Sequence, residues 1–267
     1  MTKERTRPYL LFDAGGTLVF PDFRLFAELI ARASPERVQV EPASLHNAFL
    51  QATHKLDVLL GRKLRGERVE SQGTDLFIYR QMLAYAGVPG EKVGWILARI
   101  DEHDRQRNLW SFTYPWVAET LQALQEQGWS MSVISNSDGR VEQVLWEAGL
   151  GRFFEIVIDS HREGCEKPDP RLFQRALARL GLQPQDCLYI GDFYHIDVLG
   201  ANRAGIAAVH LDRAGLAEAA GWEGVRLPSV ASLPDLLSRP DFCLADPALH
   251  PFAGRRSGTD YCRRPPS

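Results

Sequence analysis

The chain has 267 residues, a length that accommodates one large domain or two modest ones. Hydrophobic residues make up 45% of it and charged residues 24%, an ordinary globular balance that excludes wholesale disorder, collagen-like repeats and coiled coil. With 31 Lys and Arg against 34 Asp and Glu, the formal charge is -3, so the chain lacks the basic surface that sequence-independent nucleic-acid binding requires. We therefore expect no nucleic-acid partner.

Cysteine content and apolar runs bear on the cellular compartment. The 4 cysteines are too few for a disulfide scaffold and none forms a CxxC pair, which favours a reducing compartment. The apolar run behind the charged N-terminus covers only residues 9–12, too short for a signal peptide, and no run approaches the roughly 18 apolar residues of a membrane span. These patterns predict a cytoplasmic protein without a membrane partner. They do not predict an oligomeric state.

The first quarter of the chain changes from a strand pattern to a helix pattern. Residues 9–12 (YLLF) form a short apolar run that stops at the turn-forming segment 13–17 (DAGGT), which is typical of a buried strand in a parallel sheet. From about residue 21 apolar side chains instead recur at steps of three and four, the spacing of amphipathic helices. Helices are predicted around 45–60, 77–85 and 93–100.

Strand and helix patterns alternate after this helical stretch. Further strands are predicted at 131–134, 156–158, 187–190 and 207–210, the last of these being the final strand. Because such alternation implies a parallel sheet with right-handed crossovers, we predict an α/β fold. It consists of a Rossmann-like parallel-sheet core (residues 1–20 and 110–237) with an inserted helical cap (residues 21–109). The segment 238–267 is rich in Pro, Arg, Gly and Asp, which predicts a loosely packed or disordered tail.

Polar residues follow the predicted strands at their carboxyl ends, beyond which the ligand crevice of an open parallel sheet lies. They are Asp13, Thr17, Ser135, Asn136, Lys167, Asp192 and Asp197. Carboxylate oxygens suit Mg²⁺, and a lysine offers a positive charge to phosphate oxygens. Because a carboxylate can also act as a covalent nucleophile, this set predicts a site for a divalent cation and a phosphate group.

Four segments that contain these residues resemble the successive motifs of the haloacid dehalogenase-like (HAD) hydrolases. The segments are FDAGGTL, VISN, EKPDP and IGDFYHIDVLGANRAG, and their order and spacing fit across roughly residues 8–212. The helical stretch resembles the cap of the group that carries it between motifs one and two. The resemblance implies a Mg²⁺-dependent phosphatase whose partner is a small phosphorylated molecule.

The resemblance also implies a role for each matching residue. Asp13 would be the nucleophile that becomes an aspartyl phosphate, and Lys167 would steady the charge of nucleophile and phosphate. The residues implied in phosphate binding are Thr17, which helps to hold its loop, Ser135, Asn136 and Lys167. The metal ligands implied are Asp13, the backbone carbonyl of Gly15, Asp192 and Asp197, the last either directly or as a supporting group.

One position departs from the pattern of the family. Its phosphatases carry a second Asp two positions after the nucleophile, as acid for the leaving group and base for water, and here that position is Gly15. Such acid–base catalysis contributes about 10²–10⁴-fold. The leaving group could need little protonation, as in aryl or acyl phosphates. The acid could come from elsewhere, with Asp22, Tyr194 and His195 as nearby groups, or the protein could be a weakly active or non-catalytic binding protein.

Two other branches of the family also lack the second Asp. The halide-cleaving branch dispenses with the metal, so the retained Asp192 and Asp197 argue against it. The phosphonate-cleaving branch uses a cap lysine, but Lys55 and Lys63 lie in no recognisable motif. Both branches are therefore less favoured alternatives to a phosphatase.

Overall fold

A six-stranded parallel sheet forms the centre of the protein, in a computed structural model that describes residues 7–33, 38–69 and 74–253. The strands are β1 (Tyr9–Phe12), β2 (Met131–Ser135), β3 (Val157–Asp159), β4 (Cys187–Gly191), β5 (Ala207–Leu211) and β6 (Arg226–Leu227). Their spatial order is β3-β2-β1-β4-β5-β6, and each neighbouring pair is parallel. The α/β class with a Rossmann-like parallel sheet is confirmed.

Apolar layers cover both faces of the sheet. Leu10 and Phe12 of β1 are buried in a cluster on one face, and Tyr9 and Leu11 are buried in a second cluster on the other. A strand that is covered on both faces reads as a continuous apolar run, which explains the sequence YLLF. β1 is thus the inner strand that fixes the loop following it.

A helical insert connects β1 to the rest of the core. Its helices are α1 (Phe23–Ala33), α2 (Pro42–Leu64), α3 (Thr74–Tyr85) and α4 (Gly90–Gln106), so each helix predicted in this stretch is present. Their apolar faces form a separate buried cluster. The two chain segments that enter and leave the insert lie side by side, since Phe20 and Phe112 exchange backbone hydrogen bonds of 2.7 and 3.1 Å.

The remaining helices pack on the sheet. They are α5 (Pro115–Glu126), α6 (Val141–Glu147), α7 (Ser160–Glu163), α8 (Pro170–Leu180), α9 (Leu199–Arg203) and α10 (Leu233–Leu237). α8 begins as its sequence predicts: Asp169 accepts a hydrogen bond from the backbone N–H of Arg171, and Pro170 occupies the first turn. None of the described helices combines the length and the apolar character that a bilayer crossing requires.

The C-terminal part of the chain adds one strand to those predicted. The short strand β6 follows β5, which was expected to be the last strand. Most of residues 238–253 are exposed, but Leu249 is 1% exposed within a core cluster, and the amide of Asn202 donates to its carbonyl oxygen at 3.0 Å. Composition misses this packing because a few apolar side chains within a polar segment suffice for it. Residues 254–267 of the predicted tail lie outside the described part of the chain.

The packing of this segment predicts a measurable contribution to stability. We expect Leu249→Ala to lower the free energy of unfolding by about 2–5 kcal/mol, because the side chain is fully buried in the core cluster. Urea unfolding monitored by circular dichroism measures the change. The control Cys243→Ala, at an exposed position of the same segment, is expected to stay within about 0.5 kcal/mol of the parent. Equal stability of both variants would contradict the packing.

Candidate active site

The register of the sheet brings distant polar residues to one edge. Phe12 of β1 pairs with Val133 of β2 on one side and Ile190 of β4 on the other. Asp13 follows directly, and its backbone N–H donates to the carbonyl of Ile190 at 2.8 Å. The carboxyl end of β2 therefore lies on one side of Asp13, and that of β4, followed by Asp192, lies on the other.

Lys167 lies at the centre of this edge and is 4% exposed. Its ammonium donates to Asp13 Oδ1 at 2.5 Å, to Asp197 Oδ1 at 2.8 Å and to the hydroxyl of Tyr189 at 2.9 Å. An ammonium has three donors, so all of them are used within the protein. The lysine thus joins residues that lie 154 and 30 positions away along the chain.

The loop that carries Lys167 is held by Asn136. The amide oxygen of Asn136 accepts the backbone N–H of Lys167 at 2.8 Å, and its amide nitrogen donates to the carbonyl of the same residue at 3.0 Å. α8 begins shortly after the lysine and fixes the other end of the loop. Asn136 therefore positions the lysine, a role that the sequence pattern did not indicate.

Asp197 is buried and engaged at both oxygens. Oδ1 accepts from Lys167, and lies 3.0 Å from the Tyr189 hydroxyl, while Oδ2 accepts the backbone N–H of Phe193 at 2.9 Å. The Tyr189 hydroxyl also donates to the carbonyl of Ile134 at 3.0 Å. The sequence does not identify Tyr189 as a site residue, because an aromatic residue inside a buried strand has the pattern of ordinary core. Its hydroxyl becomes significant only once the fold places it beside the ammonium.

The buried charges shift one another's pKa. Burial raises the pKa of Asp13 to about 6, although the ammonium of Lys167 opposes the shift. Burial, together with the nearby carboxylates of Asp13 and Asp197, also raises the pKa of Asp192 well above its ordinary value. Burial disfavours the charged form of Lys167, but the carboxylates of Asp13 and Asp197 outweigh it and raise the pKa of that ammonium. The cluster holds more negative charge than one lysine can neutralise.

This excess of negative charge fits a divalent cation. Carboxylate oxygens of Asp13, Asp192 and Asp197 lie within 4.8 Å of one another. Oδ1 of Asp192 is buried and has no hydrogen-bond partner among the described residues, which is costly for a carboxylate. Gly16 has a φ of 80°, and a Cβ atom there would lie 2.1 Å from Asp192 Oδ2. Glycine at this position therefore leaves room for the carboxylate, and the donor set suits a hard cation such as Mg²⁺.

Two hydroxyl side chains named by the sequence lie nearby. Thr17 and Ser135 are 1% and 2% exposed, and Ser135 lines the cleft above Asp13. The Thr17 Oγ1 atom has no hydrogen-bond partner among the described residues. Gly15, two positions after Asp13, also lines the cleft.

A cleft of about 360 Å³ opens between the sheet edge and the helical insert. The core contributes Asp13, Ser135 and Lys167 to its wall, and the insert contributes Ile78 and Asp104. Small-molecule sites in proteins typically span about 300–1,000 Å³. The size of the cleft therefore suits a small ligand.

Polar contacts join the two lobes around the cleft. Asp57 of α2 is buried and accepts the backbone N–H of His195 at 2.9 Å and that of Tyr194. Across the cleft, Arg140 of the core donates to the carboxylate of Asp104 in α4 at 2.8 Å. The insert is thus fixed to the loop behind Asp192 on one side and to the start of α6 on the other.

The nearby groups considered as replacement acids are used elsewhere. Asp22 accepts backbone N–H groups at the start of α1, at 3.1 Å each, and the His195 ring is bonded to Asp57 at 2.9 Å. The Tyr194 ring stacks on Trp222, with centroids 5.1 Å apart. The cleft lining, drawn from the described residues, includes none of the three. Lys55, a lysine considered for phosphonate cleavage, is exposed and donates to Gln81 at 2.7 Å.

The sequence of this chain matches a known protein family. A family model described as haloacid dehalogenase-like hydrolase matches residues 9–205, which include every strand from β1 to β4 and the whole site. The chain belongs to this family. It is therefore a hydrolase.

Several HAD relatives are phosphatases by name. Phosphoglycolate phosphatase 1 of Pseudomonas aeruginosa is 32% identical over 205 residues, which cover 76% of this chain and 68% of that protein. Haloacid dehalogenase-like hydrolase domain-containing protein 3 of Bos taurus is 28% identical over 74% of this chain and 78% of its own length. Glyceraldehyde 3-phosphate phosphatase of Methanopyrus kandleri is 39% identical, but over only 38% of this chain and 43% of its own length.

Solved HAD structures share the fold. A dehalogenase in complex with an intermediate superposes with a TM-score of 0.57 at 22% identity, covering 88% of this chain and 98% of that one. A HAD hydrolase from Bacillus subtilis bound to magnesium gives a TM-score of 0.56 at 17% identity, over 88% and 100% of the two chains. These likenesses show that the chain shares their fold.

The charge balance of the site predicts opposite effects for two substitutions. We expect Lys167→Met to lower the free energy of unfolding by about 3–5 kcal/mol, because Asp13 and Asp197 would remain buried without their cation. We expect Asp192→Asn to raise it by about 1 kcal/mol at pH 7. The sign follows from the raised pKa of Asp192, since charging a carboxyl that the fold prefers neutral costs stability as the pH rises.

Urea unfolding at pH 7 with a chelator present measures both changes. The control Lys55→Met removes an exposed lysine and is expected to stay within about 0.5 kcal/mol of the parent protein. A loss of stability in Asp192→Asn as large as that in Lys167→Met would contradict the excess of negative charge.

Proposed function

We propose that this chain is a Mg²⁺-dependent phosphatase that acts on a small phosphorylated molecule through an aspartyl phosphate on Asp13. The observation that carries the proposal is the buried ammonium of Lys167, bonded to Asp13 and Asp197, beside an Asp192 carboxylate with an unpartnered oxygen. The carboxylates outnumber the single lysine, so the site has the negative charge to bind a divalent cation. The cation and the lysine together can then bind an anionic phosphate group. The phosphatase names among the relatives support the same class of substrate.

Asp13 is placed to attack a phosphoryl group in the cleft. Its Oδ1 is bonded to Lys167, and the carboxylate lines the cleft floor. Lys167 reduces the repulsion between this carboxylate and an incoming phosphate and stabilises the charge of the transition state. The hydroxyl of Ser135, and Thr17 within the loop, would bind phosphate oxygens.

The proposed cation site uses Asp13, Asp192 and the backbone carbonyl of Gly15. Asp197 is a supporting group of this site rather than a direct ligand, because both of its oxygens already accept hydrogen bonds. A bound Mg²⁺ supplies charge neutralisation for the phosphate and for the nucleophile. The Ser135 hydroxyl, which lines the cleft, would orient the phosphoryl group towards the Asp13 carboxylate, and Thr17 would help to hold the loop that follows Asp13.

The reaction has two balanced steps. In the first, a bond forms from the Asp13 oxygen to phosphorus while the bond from phosphorus to the leaving oxygen breaks, and that oxygen keeps the electron pair. In the second, water attacks phosphorus, the aspartyl oxygen leaves, and the proton of the water passes to the released phosphate or to solvent.

We assign residues 21–109 as the cap that excludes bulk water from the cleft, and 1–20 with 110–237 as the catalytic core.

The glycine at position 15 favours a second candidate function. Because glycine cannot supply a proton or accept one, a weakly active protein that binds a phosphorylated ligand also agrees with the site. The two functions differ in turnover and not in ligand class, so one assay separates them.

Hydrolysis of an aryl and an acyl phosphate tests the proposal. We expect turnover that depends on Mg²⁺, stops with chelator, and falls by about 10³-fold or more in Asp13→Asn, since the nucleophile is lost. Asp22→Asn is the matched control, because that carboxylate caps α1 away from the cleft lining. The melting temperature should rise with Mg²⁺ in the parent and in Asp22→Asn.

Two results would contradict the proposed activity. Equal turnover in Asp13→Asn and the parent would remove Asp13 as nucleophile. A rise of the melting temperature with Mg²⁺ and phosphate, without turnover on either substrate, would identify the binding protein instead.

A further inference from the structure

Gly15 lies directly against the indole of Trp110. A Cβ atom on Gly15 would lie 3.3 Å from Cζ3 and 3.4 Å from Cε3 of that ring. Carbon atoms in favourable contact are about 3.5–4.0 Å apart, so even a methyl group requires the ring to shift slightly. An aspartate side chain at position 15 must adopt a rotamer that points away from the indole, or displace the ring. Trp110 therefore occupies the space in front of the position where the family's phosphatases carry their second Asp.

The ring is anchored in the helical insert. Its Nε1–H donates to the hydroxyl of Tyr79 in α3 at 2.9 Å, and the ring forms a T-shaped contact with Phe49 of α2, with centroids 5.6 Å apart. The backbone N–H of Trp110 donates to the side chain of Asn108 at 2.8 Å. Tyr79 and Phe49 are themselves buried, so the indole is held in place from two helices.

Trp110 is also part of the cleft wall, together with Gly15 and Asp13. When Asp13 attacks a substrate, the leaving group therefore lies against the indole ring of Trp110, and not against a carboxylate at position 15. We propose that Trp110 determines the substrate class: its indole receives a flat, weakly basic leaving group, so the enzyme selects aryl phosphates over alkyl phosphates. This inference rests on the phosphatase function proposed above.

The chemistry of the leaving group agrees with an indole, and no acid, at this part of the cleft wall. As the bond from Asp13 to phosphorus forms, the leaving oxygen departs with its electron pair and takes a proton later from solvent. A phenolate, whose conjugate acid has a pKa of about 10, can leave in this way. An alkoxide is far more basic and depends on an acid, which is worth about 10²–10⁴-fold. Stacking of the departing ring on the indole adds to the preference.

Other carboxylates line the cleft and must be weighed. Asp104 and Asp138 accept hydrogen bonds from Arg140 at 2.8 and 2.7 Å, and these contacts lower the pKa of Asp138, which favours its ionised, non-donating form. Asp75 and Glu166 also line the cleft. They are the rival acids, so the test includes Asp75→Asn and Glu166→Gln.

The test compares kcat/KM for phenyl phosphate and cyclohexyl phosphate, which match in size but differ in flatness and in leaving-group basicity. We expect the parent to prefer phenyl phosphate by about tenfold or more. Trp110→Ala should reduce the ratio of kcat/KM for phenyl phosphate to that for cyclohexyl phosphate about two- to tenfold. Trp110→Phe should retain the preference, and the control Trp95→Ala, an exposed tryptophan of α4, should not alter either value.

A double variant tests the steric part of the inference. Gly15→Asp combined with Trp110→Ala should raise kcat/KM for cyclohexyl phosphate about tenfold or more over Trp110→Ala, because a carboxylate then has room to act as acid. Gly15→Asp alone should give no such gain. Equal gains in both would overturn the inference, as would an unchanged phenyl preference in Trp110→Ala. A specific loss of cyclohexyl turnover in Asp75→Asn or Glu166→Gln would also overturn it.

Binding measured without turnover separates this inference from the proposed function. Calorimetry with phenylphosphonate and cyclohexylphosphonate should show tighter binding of the flat ligand, lost in Trp110→Ala. Turnover that survives Asp13→Asn contradicts the phosphatase mechanism whatever the phenyl preference. Equal affinity of the parent for both phosphonates contradicts the role of Trp110 whatever the turnover.

Discussion

Lys167 places one buried positive charge among the carboxylates at the edge of the sheet, and the arrangement of the site depends on it. Its donors bind Asp13 and Asp197, which come from two different strand ends. An ammonium buried without such partners would be strongly disfavoured, and so would the carboxylates without the ammonium. The loop that carries the lysine is accordingly fixed at both ends, by Asn136 and by the start of α8.

The position of the helical insert follows from the same edge. The π-helical turn Tyr194–Val198 carries Asp197, and the backbone at its start is bonded to Asp57 of the insert. The insert therefore touches the segment that supplies the buried carboxylate, and on the opposite side Arg140 reaches Asp104. Trp110, the first residue after the insert, lies between the two lobes: its ring contacts Tyr79 and Phe49 of the insert and lies against Gly15 of the core.

Much of the fold could be predicted because its strands are buried on both faces. The runs at 9–12 and 187–190 are continuous and apolar, and they appear as β1 and β4 within one residue. β6 has only two residues, too few for any periodicity to indicate a strand. The packing of Leu249 on the core depends on contacts with Asn202, which lies 47 positions away, and no local pattern contains that information.

The site was predictable where a side chain follows a strand, and not where a contact crosses between elements. Asp13, Ser135 and Asp192 could be named because parallel strands end at a common edge. The hydroxyl of Tyr189 and the indole of Trp110 could not, since both are aromatic residues whose surroundings are set by tertiary packing. The sequence pattern also left open what faces Gly15, because Trp110 lies 95 positions away along the chain and reaches Gly15 only through tertiary packing.

A covalent phosphoryl group on Asp13 is the most direct test of the account. The parent protein, mixed with Mg²⁺ and an aryl phosphate labelled at phosphorus, is quenched in acid within milliseconds to seconds and digested. We predict up to one label per chain, stable in acid, released by hydroxylamine, and located on the peptide that contains Asp13. Turnover without any such label, or the same label in Asp13→Asn, would contradict phosphoryl transfer through this carboxylate.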